Sequence, residues 1–342
     1  MKKFASFVLF SALTVGGLAG CSSSDEQAAA NEQDKVLQYQ GSPNTVTFPE
    51  LAEVLGYLDD LKLDNIGALT GGPESIQITS VGETDFGTAF NGAIVKAASK
   101  GAPIESVVGS YGSDKNTYYG VYTLDKTTIK SAKDFIGKKI GVNTLGAHAE
   151  FFIRDYLRQE GLTDKEIEQV QLVVVPASNA EQSLRNEQLE AVVLNGIGRD
   201  LALERGGIQE VFSDVDVFGT EFTAGSYFFT EDYIKENPDT VKTFVNGVAK
   251  AIEWARNSPK EEVIEKYTEI VGAREGESTD KLKYFKSTGI AEEGGVIKEN
   301  EFDIWIDWLE KNGELKEGQV KATDFYTNEY NEYAKKDSSQ KD

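Results

Sequence analysis

Short apolar runs of β character alternate with helical patterns through the middle of this chain, and that alternation restricts the fold more than any other feature. Lys139 to Asn143, Gln171 to Val175 and Ala191 to Asn195 are such runs. They lie roughly 20 to 30 residues apart, the distance that a strand, a crossover helix and the next parallel strand require. Val36 to Tyr39, Asn65 to Leu69 and Ile104 to Val108 read the same way nearer the start. The fold class that follows is α/β.

Helix starts between the runs carry caps. Thr47-Phe-Pro-Glu50, Ser131-Ala-Lys-Asp134 and Ser178-Asn-Ala-Glu181 place an acid three residues after a hydroxyl, and Asn237-Pro238 places proline in a first turn. Beyond Pro238 the pattern turns helical, with Val241, Phe244, Val245, Val248, Ile252 and Ala255 on one face and a second segment from Pro259 to Ile270. Trp305 and Trp308, with Phe302, Ile304 and Leu309, are expected to pack a late helix onto a core, and residues 336–342 form a polar tail.

With 342 residues the chain has room for two domains. Against 35 Lys and Arg stand 57 Asp and Glu, a formal charge of −22 that repels phosphate backbones and excludes general nucleic-acid binding. One Cys and one His rule out an internal disulfide, a thiolate cluster and multi-histidine zinc sites. A carboxylate metal site stays open, and no cofactor is implied.

The first 20 residues have the layout of a secretory leader: Lys2-Lys3, an apolar run from Phe4 to Leu18, then small residues. The run is too short for a permanent span. Leu18-Ala-Gly-Cys21 resembles the bacterial lipobox, which implies cleavage before Cys21 and lipidation of its thiol, with an ordinary leader and a buried Cys as the alternative. Residues 21–34 are polar and aperiodic, as a flexible tether is.

Three further stretches are Gly71-Gly-Pro-Glu-Ser-Ile-Gln-Ile-Thr-Ser-Val-Gly-Glu-Thr-Asp-Phe-Gly87, Phe135-Ile-Gly-Lys-Lys-Ile-Gly-Val-Asn-Thr-Leu-Gly-Ala-His148 and Ser183-Leu-Arg-Asn-Glu-Gln-Leu-Glu-Ala191. In order and spacing they resemble the extracytoplasmic solute-binding lipoproteins of ABC importers, in the nitrate, taurine and alkanesulfonate group. The resemblance runs from about Lys35 to Tyr330. It implies a type II periplasmic-binding-protein fold, two α/β lobes closing on a ligand about a two-strand hinge. Residues 35–118 plus 230–335 then form the first lobe and 124–224 the second, with crossovers at 119–124 and 225–230. It also implies a monomeric receptor outside the cytoplasm, anchored to the membrane through Cys21. Such a receptor hands a sulfonate, taurine or nitrate-like anion to a permease and its ATPase.

Ligands of open α/β sheets lie beyond the carboxyl ends of strands, where helix N-termini offer free N–H groups. Asn143-Thr144-Leu-Gly146-Ala147-His148 is the leading candidate: the Thr144 hydroxyl and the N–H groups of Gly146 and Ala147 suit a sulfonate or carboxylate, with a plain helix cap as the alternative. His148 either contacts the ligand or faces solvent. Gly71-Gly72-Pro73 is an anion cradle or a simple turn, and Phe90-Asn91 is a ligand contact or core. Asn195-Gly196 ends a buried strand, and Arg199 is a candidate anion partner or a surface residue. Ser226 and Tyr227 lie where the return crossover closes over a ligand, and Asn44 and Thr45 face the cleft or the surface.

No nucleophile with an adjacent base is recognisable, which favours a receptor over an enzyme. The same fold group contains thiamine-pyrimidine synthases that use a cysteine-rich motif, and this chain has no Cys beyond Cys21. A heterocyclic vitamin precursor of thiamine or riboflavin type is the alternative ligand, and a surface sensor without import is a further alternative.

Overall fold

The computed structural model describes residues 33–339. The leader, Cys21 and the tether up to residue 32 lie outside the described residues.

Strand β1 (Val36–Gly41) turns Leu37, Tyr39 and Gly41 inward. Helix α1 (Phe48–Val54) begins where Thr47 donates its backbone N–H and its hydroxyl to the Glu50 carboxylate at 2.7 and 2.8 Å, as the cap pattern predicts. β2 (Lys62–Ala68) pairs with β1 in parallel. After α2 (Gly72–Ser80) come β3 (Phe86–Phe90), α3 (Asn91–Ala98) and β4 (Ile104–Ser113).

The chain then enters a second sheet. β5 (Tyr119–Leu124) is followed by a short turn at Ala132–Phe135, β6 (Lys139–Val142), α4 (His148–Gln159), α5 (Asp164–Ile167) and β7 (Gln171–Val174). Next come α6 (Ala177–Arg185), β8 (Ala191–Asn195), α7 (Gly196–Glu204), β9 (Ile208–Ser213) and α8 (Asp214–Phe218). The strands lie in the order β7-β6-β8-β5-β9, parallel among β6, β7 and β8 and antiparallel where β5 meets β8 and β9.

β10 (Phe222–Thr230) returns to the first sheets and lies antiparallel between β3 and β4. Helices α9 (Glu231–Glu236), α10 (Pro238–Asn257), α11 (Lys260–Gly272), α12 (Asn300–Lys311) and α13 (Glu332–Ser339) follow. Two α/β bodies result, as the fold class requires. Segments 119–124 and 225–230 run inside sheets, and the passages between the bodies are 114–118 and 219–221.

Two strands escape the sequence reading. β3 carries only small residues between two phenylalanines, yet Gly87 sits where a Cβ would come within 2.5 Å of the Phe228 ring and 2.6 Å of Ser75 Oγ, so close packing demands the glycine. β9 lies at the edge of its sheet and lacks the strict apolar–polar alternation that marks a strand in sequence. The third cap pattern is corrected as well. α6 starts at Ala177 after Pro176, and the Ser178 hydroxyl turns to Asn179.

Among the described residues the buried apolar side chains fall into four packed clusters. On α10 the residues Val241, Phe244, Val245, Val248 and Ile252 are fully buried, as their spacing predicts, at roughly 1.5 to 3 kcal/mol for each large side chain. Trp305 and Trp308 of α12 are buried with Phe302 and Leu309.

Glu301, in the first turn of α12, is buried too; it accepts N–H bonds from Thr223 and Lys298 at 3.0 Å each. Burial outweighs those bonds and pushes its carboxyl up to about 7. A carboxyl raised in the folded state holds its proton there after the unfolded chain has lost it. The stability it contributes is complete below the usual carboxylate range and is lost as the pH rises to about 7. Urea midpoints should therefore fall between pH 5 and pH 7.5 in the native chain, and Glu301→Gln should flatten that part of the profile.

Candidate functional site

The loops that leave β2, β3, β6 and β8 each open a helix, so their N–H groups and positive dipole ends collect at the carboxyl ends of the strands. Two of these loops come from different bodies and touch. Gly71 caps α2, with Gly72 and Pro73 in the first turn, and an ideal Cβ on Gly71 would lie 3.1 Å from Thr144 Cγ2 and 3.2 Å from Thr144 Cβ. Thr144 belongs to the loop before α4, so the two strongest loop candidates meet.

Inside that second loop Gly146 takes φ +70°, a left-handed value that favours glycine. Its N–H donates to Glu150 Oε2 at 2.9 Å, and Glu150 Oε1 accepts from Arg154 Nε at 2.7 Å. A first-turn acid thus caps its own helix and occupies one of the donors expected for an anion.

His148 faces neither solvent nor an open cleft. It is 2% exposed, stacked on Phe90 with ring centroids 5.1 Å apart, and 4.4 Å from the Tyr119 ring centroid. Its Nε2 lies 3.1 Å from Asp214 Oδ2, an ion-pair distance, although neither ring nitrogen is aligned for a directed hydrogen bond. Asp214 is fully buried and accepts from Ser113 Oγ at 2.5 Å, Val215 N–H at 2.8 Å and Tyr119 N–H at 3.3 Å. Burial, with the Asp214 charge adding to it, pushes the Tyr119 hydroxyl well above its ordinary range. The sequence showed no sign of this cluster, because Ser113, Tyr119 and Asp214 are distant from His148 and become neighbours only through the passages between bodies.

Several other candidates have internal partners. Phe90 is 1% exposed within the aromatic cluster of Phe151 and Trp305. The Asn91 amide reaches the carbonyls of Thr223 and Glu301, and its oxygen accepts from Ser226 Oγ at 2.8 Å. The Tyr227 hydroxyl is buried against Thr47 and Phe48. Asn44 donates its N–H to Glu277 and accepts from Ser278 N–H, and the Thr45 carbonyl accepts from Arg274. Asn195 is exposed at the cap of α7, with Gly196 at φ +47° behind it.

Arg199 is not a surface residue. At 2% exposed, it grips Asp200 Oδ1 through Nε and Nη2 at 3.1 and 2.8 Å, donates to the carbonyls of Asn116 and Tyr118, and lies 3.8 Å over the Tyr118 ring. Asp200 in turn meets Lys286 Nζ at 2.9 Å. The fork clamps the outgoing passage.

Two hollows adjoin the loops. One of about 10 Å³, room for about one water at most, is lined by Gln40, Thr47, Ser75, Thr88 and Tyr227. There Gln40 Oε1 is buried without a hydrogen-bond partner among the described residues, and Ser75 Oγ accepts from Thr88 N–H. A groove of about 430 Å³ runs below Gly146 between α4 and α12, past Arg154, Arg158, Trp308 and Lys311. Gln40, Ser75 and Thr88 were not among the expected residues, although the alternation of β1 and the small residues of β3 point to them. Among the described residues no three His, Cys, Asp or Glu side chains are grouped to hold a metal ion.

A family model described as "NMT1/THI5 like" matches residues 47–262. No curated protein sequence matches the chain. Solved structures share the fold at low identity. A protein of Bordetella bronchiseptica RB50 is 20% identical with a TM-score of 0.71, over 90% of this chain and 99% of that one. The alkanesulfonate-binding protein SsuA of Xanthomonas axonopodis pv. citri, bound to MOPS, is 15% identical with a TM-score of 0.67, over 86% and 99%. The periplasmic nitrate-binding protein NrtA of Synechocystis PCC 6803 is 12% identical with a TM-score of 0.65, over 88% and 89%.

Because Arg199 is committed internally, Arg199→Ala should act on stability. A loss of about 2 to 4 kcal/mol in urea unfolding is expected for a buried, multiply bonded charge. A loss under about 0.5 kcal/mol would mean that the clamp contributes little.

Proposed function

The chain belongs to the NMT1/THI5-like family, and from that premise we propose that it is the solute-binding receptor of an ABC importer, taking a small organic anion between its two bodies. The observation that carries the reading is the meeting of Gly71 with Thr144: two helix-opening loops, one from each body, approach so closely that a side chain at Gly71 would crowd Thr144. An anion beside that contact would face N–H groups and dipole ends from both loops, and binding both would hold the bodies together. The sulfonate-binding and nitrate-binding proteins of like fold support this choice of ligand class.

In this reading residues 35–113 with 222–335 act as one lobe and 119–218 as the other, bounds shifted by a few residues from the sequence expectation because β5 lies in the second sheet and β10 in the first. The receptor is a monomer outside the cytoplasm, held to the membrane by a lipid on Cys21, and it delivers its ligand to a permease and ATPase without changing it chemically. A second ligand class is favoured by a specific observation. Glu150 already occupies the Gly146 N–H and brings a carboxylate to the second loop. A carboxylate so placed suits a flat heterocycle with N–H donors, of the thiamine or riboflavin precursor type, better than a bare anion.

The test is a thermal shift of the purified chain against sulfonates, taurine, nitrate, dicarboxylates, and thiamine and flavin precursors, since selective binding to the native state raises the midpoint. One class should raise it, and calorimetry should then show Thr144→Val weakening that ligand by about 1 kcal/mol or more. Gly146→Ala is a poorer probe, because φ +70° strains any side chain there. A flat response to every class, or conversion of a hit into product, would overturn the receptor. Separately, Cys21→Ser should abolish palmitate labelling and free the chain from the membrane fraction.

A further inference from the structure

Gly71 and Gly72 are adjacent, and neither is there for its backbone angles in the way that Gly146 is. Gly71 has φ 177° and ψ 160°, extended values that any residue adopts. Gly72 is the first helical residue of α2, and its φ lies outside the positive range. The two differ in what a side chain would strike. A Cβ on Gly72 would sit 2.9 Å from Ala89 Cβ and 3.1 Å from Ala89 Cα, atoms of β3 in its own body. The three atoms nearest a Cβ on Gly71 all belong to Thr144, its Cγ2, Cβ and Oγ1 at 3.1, 3.2 and 3.4 Å, across the boundary with the other body.

We propose that Gly71 sets how far the two bodies close: its missing side chain is needed for the closed form alone, so it acts as a positioning residue for ligand capture, with Thr144 as its counterpart. The inference rests on the reading of two bodies that open and close. It follows from packing, since a methyl or larger group in this gap must push back the Thr144 loop or hold the bodies apart. Neighbouring Gly72 acts differently, because a methyl there strains α2 against β3 whether the bodies are open or closed.

The experiment uses the ligand-free full chain with Cys21→Ser, so that no native thiol interferes. Gly71→Cys with Thr144→Cys brings two Cβ positions to about 3.2 Å, near the separation that a disulfide spans, and should cross-link under mild oxidation. Gly71→Ala and Gly71→Val should progressively increase the radius of gyration in small-angle scattering while leaving the melting midpoint near that of the parent. Thr144→Ala should reverse the increase in Gly71→Val. Gly72→Ala should lower the midpoint.

If the cysteine pair cross-links but Gly71→Val scatters like the parent, closure stands and the role of Gly71 is overturned. A midpoint in Gly71→Val that drops as far as in Gly72→Ala overturns it too, by showing an effect within one body. If the pair fails to cross-link and no variant changes the scattering, the two-body reading itself falls, and the inference with it.

Discussion

One carboxylate joins the parts that make this fold a pair of bodies. Asp214 stands at the start of α8, just before the return passage, and is wholly buried. It accepts from Ser113 at the end of β4 and from the backbone of Tyr119 at the start of β5, so it bridges both ends of the outgoing passage. His148, at the head of α4, lies within ion-pair distance of the same side chain. A buried carboxylate is unfavourable unless it is satisfied. The requirement to satisfy Asp214 therefore fixes four chain segments against one another, and the aromatic rings around His148 seal the cluster from water.

Much of the architecture could be read in advance because it depends on local patterns. The runs at Lys139, Gln171 and Ala191 became neighbouring strands since their spacing admits little besides a crossover helix. Thr47 and Glu50 began a helix as their spacing predicts, and the apolar stripe of α10 is buried along its length. β3 was missed because its character comes from what packs on it. Phe86 to Phe90 looks like a glycine-bearing loop until Phe228 and Ser75 are seen to close on Gly87 from either side.

The site was harder to read, for a reason that repeats. Sequence identifies which groups are able to bind an anion, but the contacts that use up those groups come from far along the chain. Arg199 reads as a free cation until the carbonyls of Asn116 and Tyr118 meet its fork. Asn91 reads as an amide able to contact a ligand until Thr223, Ser226 and Glu301 surround it. The loops themselves, Gly71 to Pro73 and Thr144 to Ala147, were visible because glycine and proline mark strand-to-helix turns locally.

The clamp at Arg199 also gives the two passages unequal stiffness. The outgoing one is held by a cation over an aromatic face, two carbonyl bonds and the Asp114 turn, whose Oδ1 accepts from the N–H groups of Asn116 and Thr117 and from Ser287 Oγ. The return one begins at Gly219, in the left-handed region at φ +69°, and runs through only three residues, 219–221. The outgoing strut is braced, and the short return strut turns on a left-handed glycine and is tied to its neighbour where Lys115 N–H donates to Glu221 Oε1 at 3.4 Å. In the proposed receptor an opening rotation would therefore pivot beside the braced strut, and the gap at Gly71 and Thr144 would sweep along an arc.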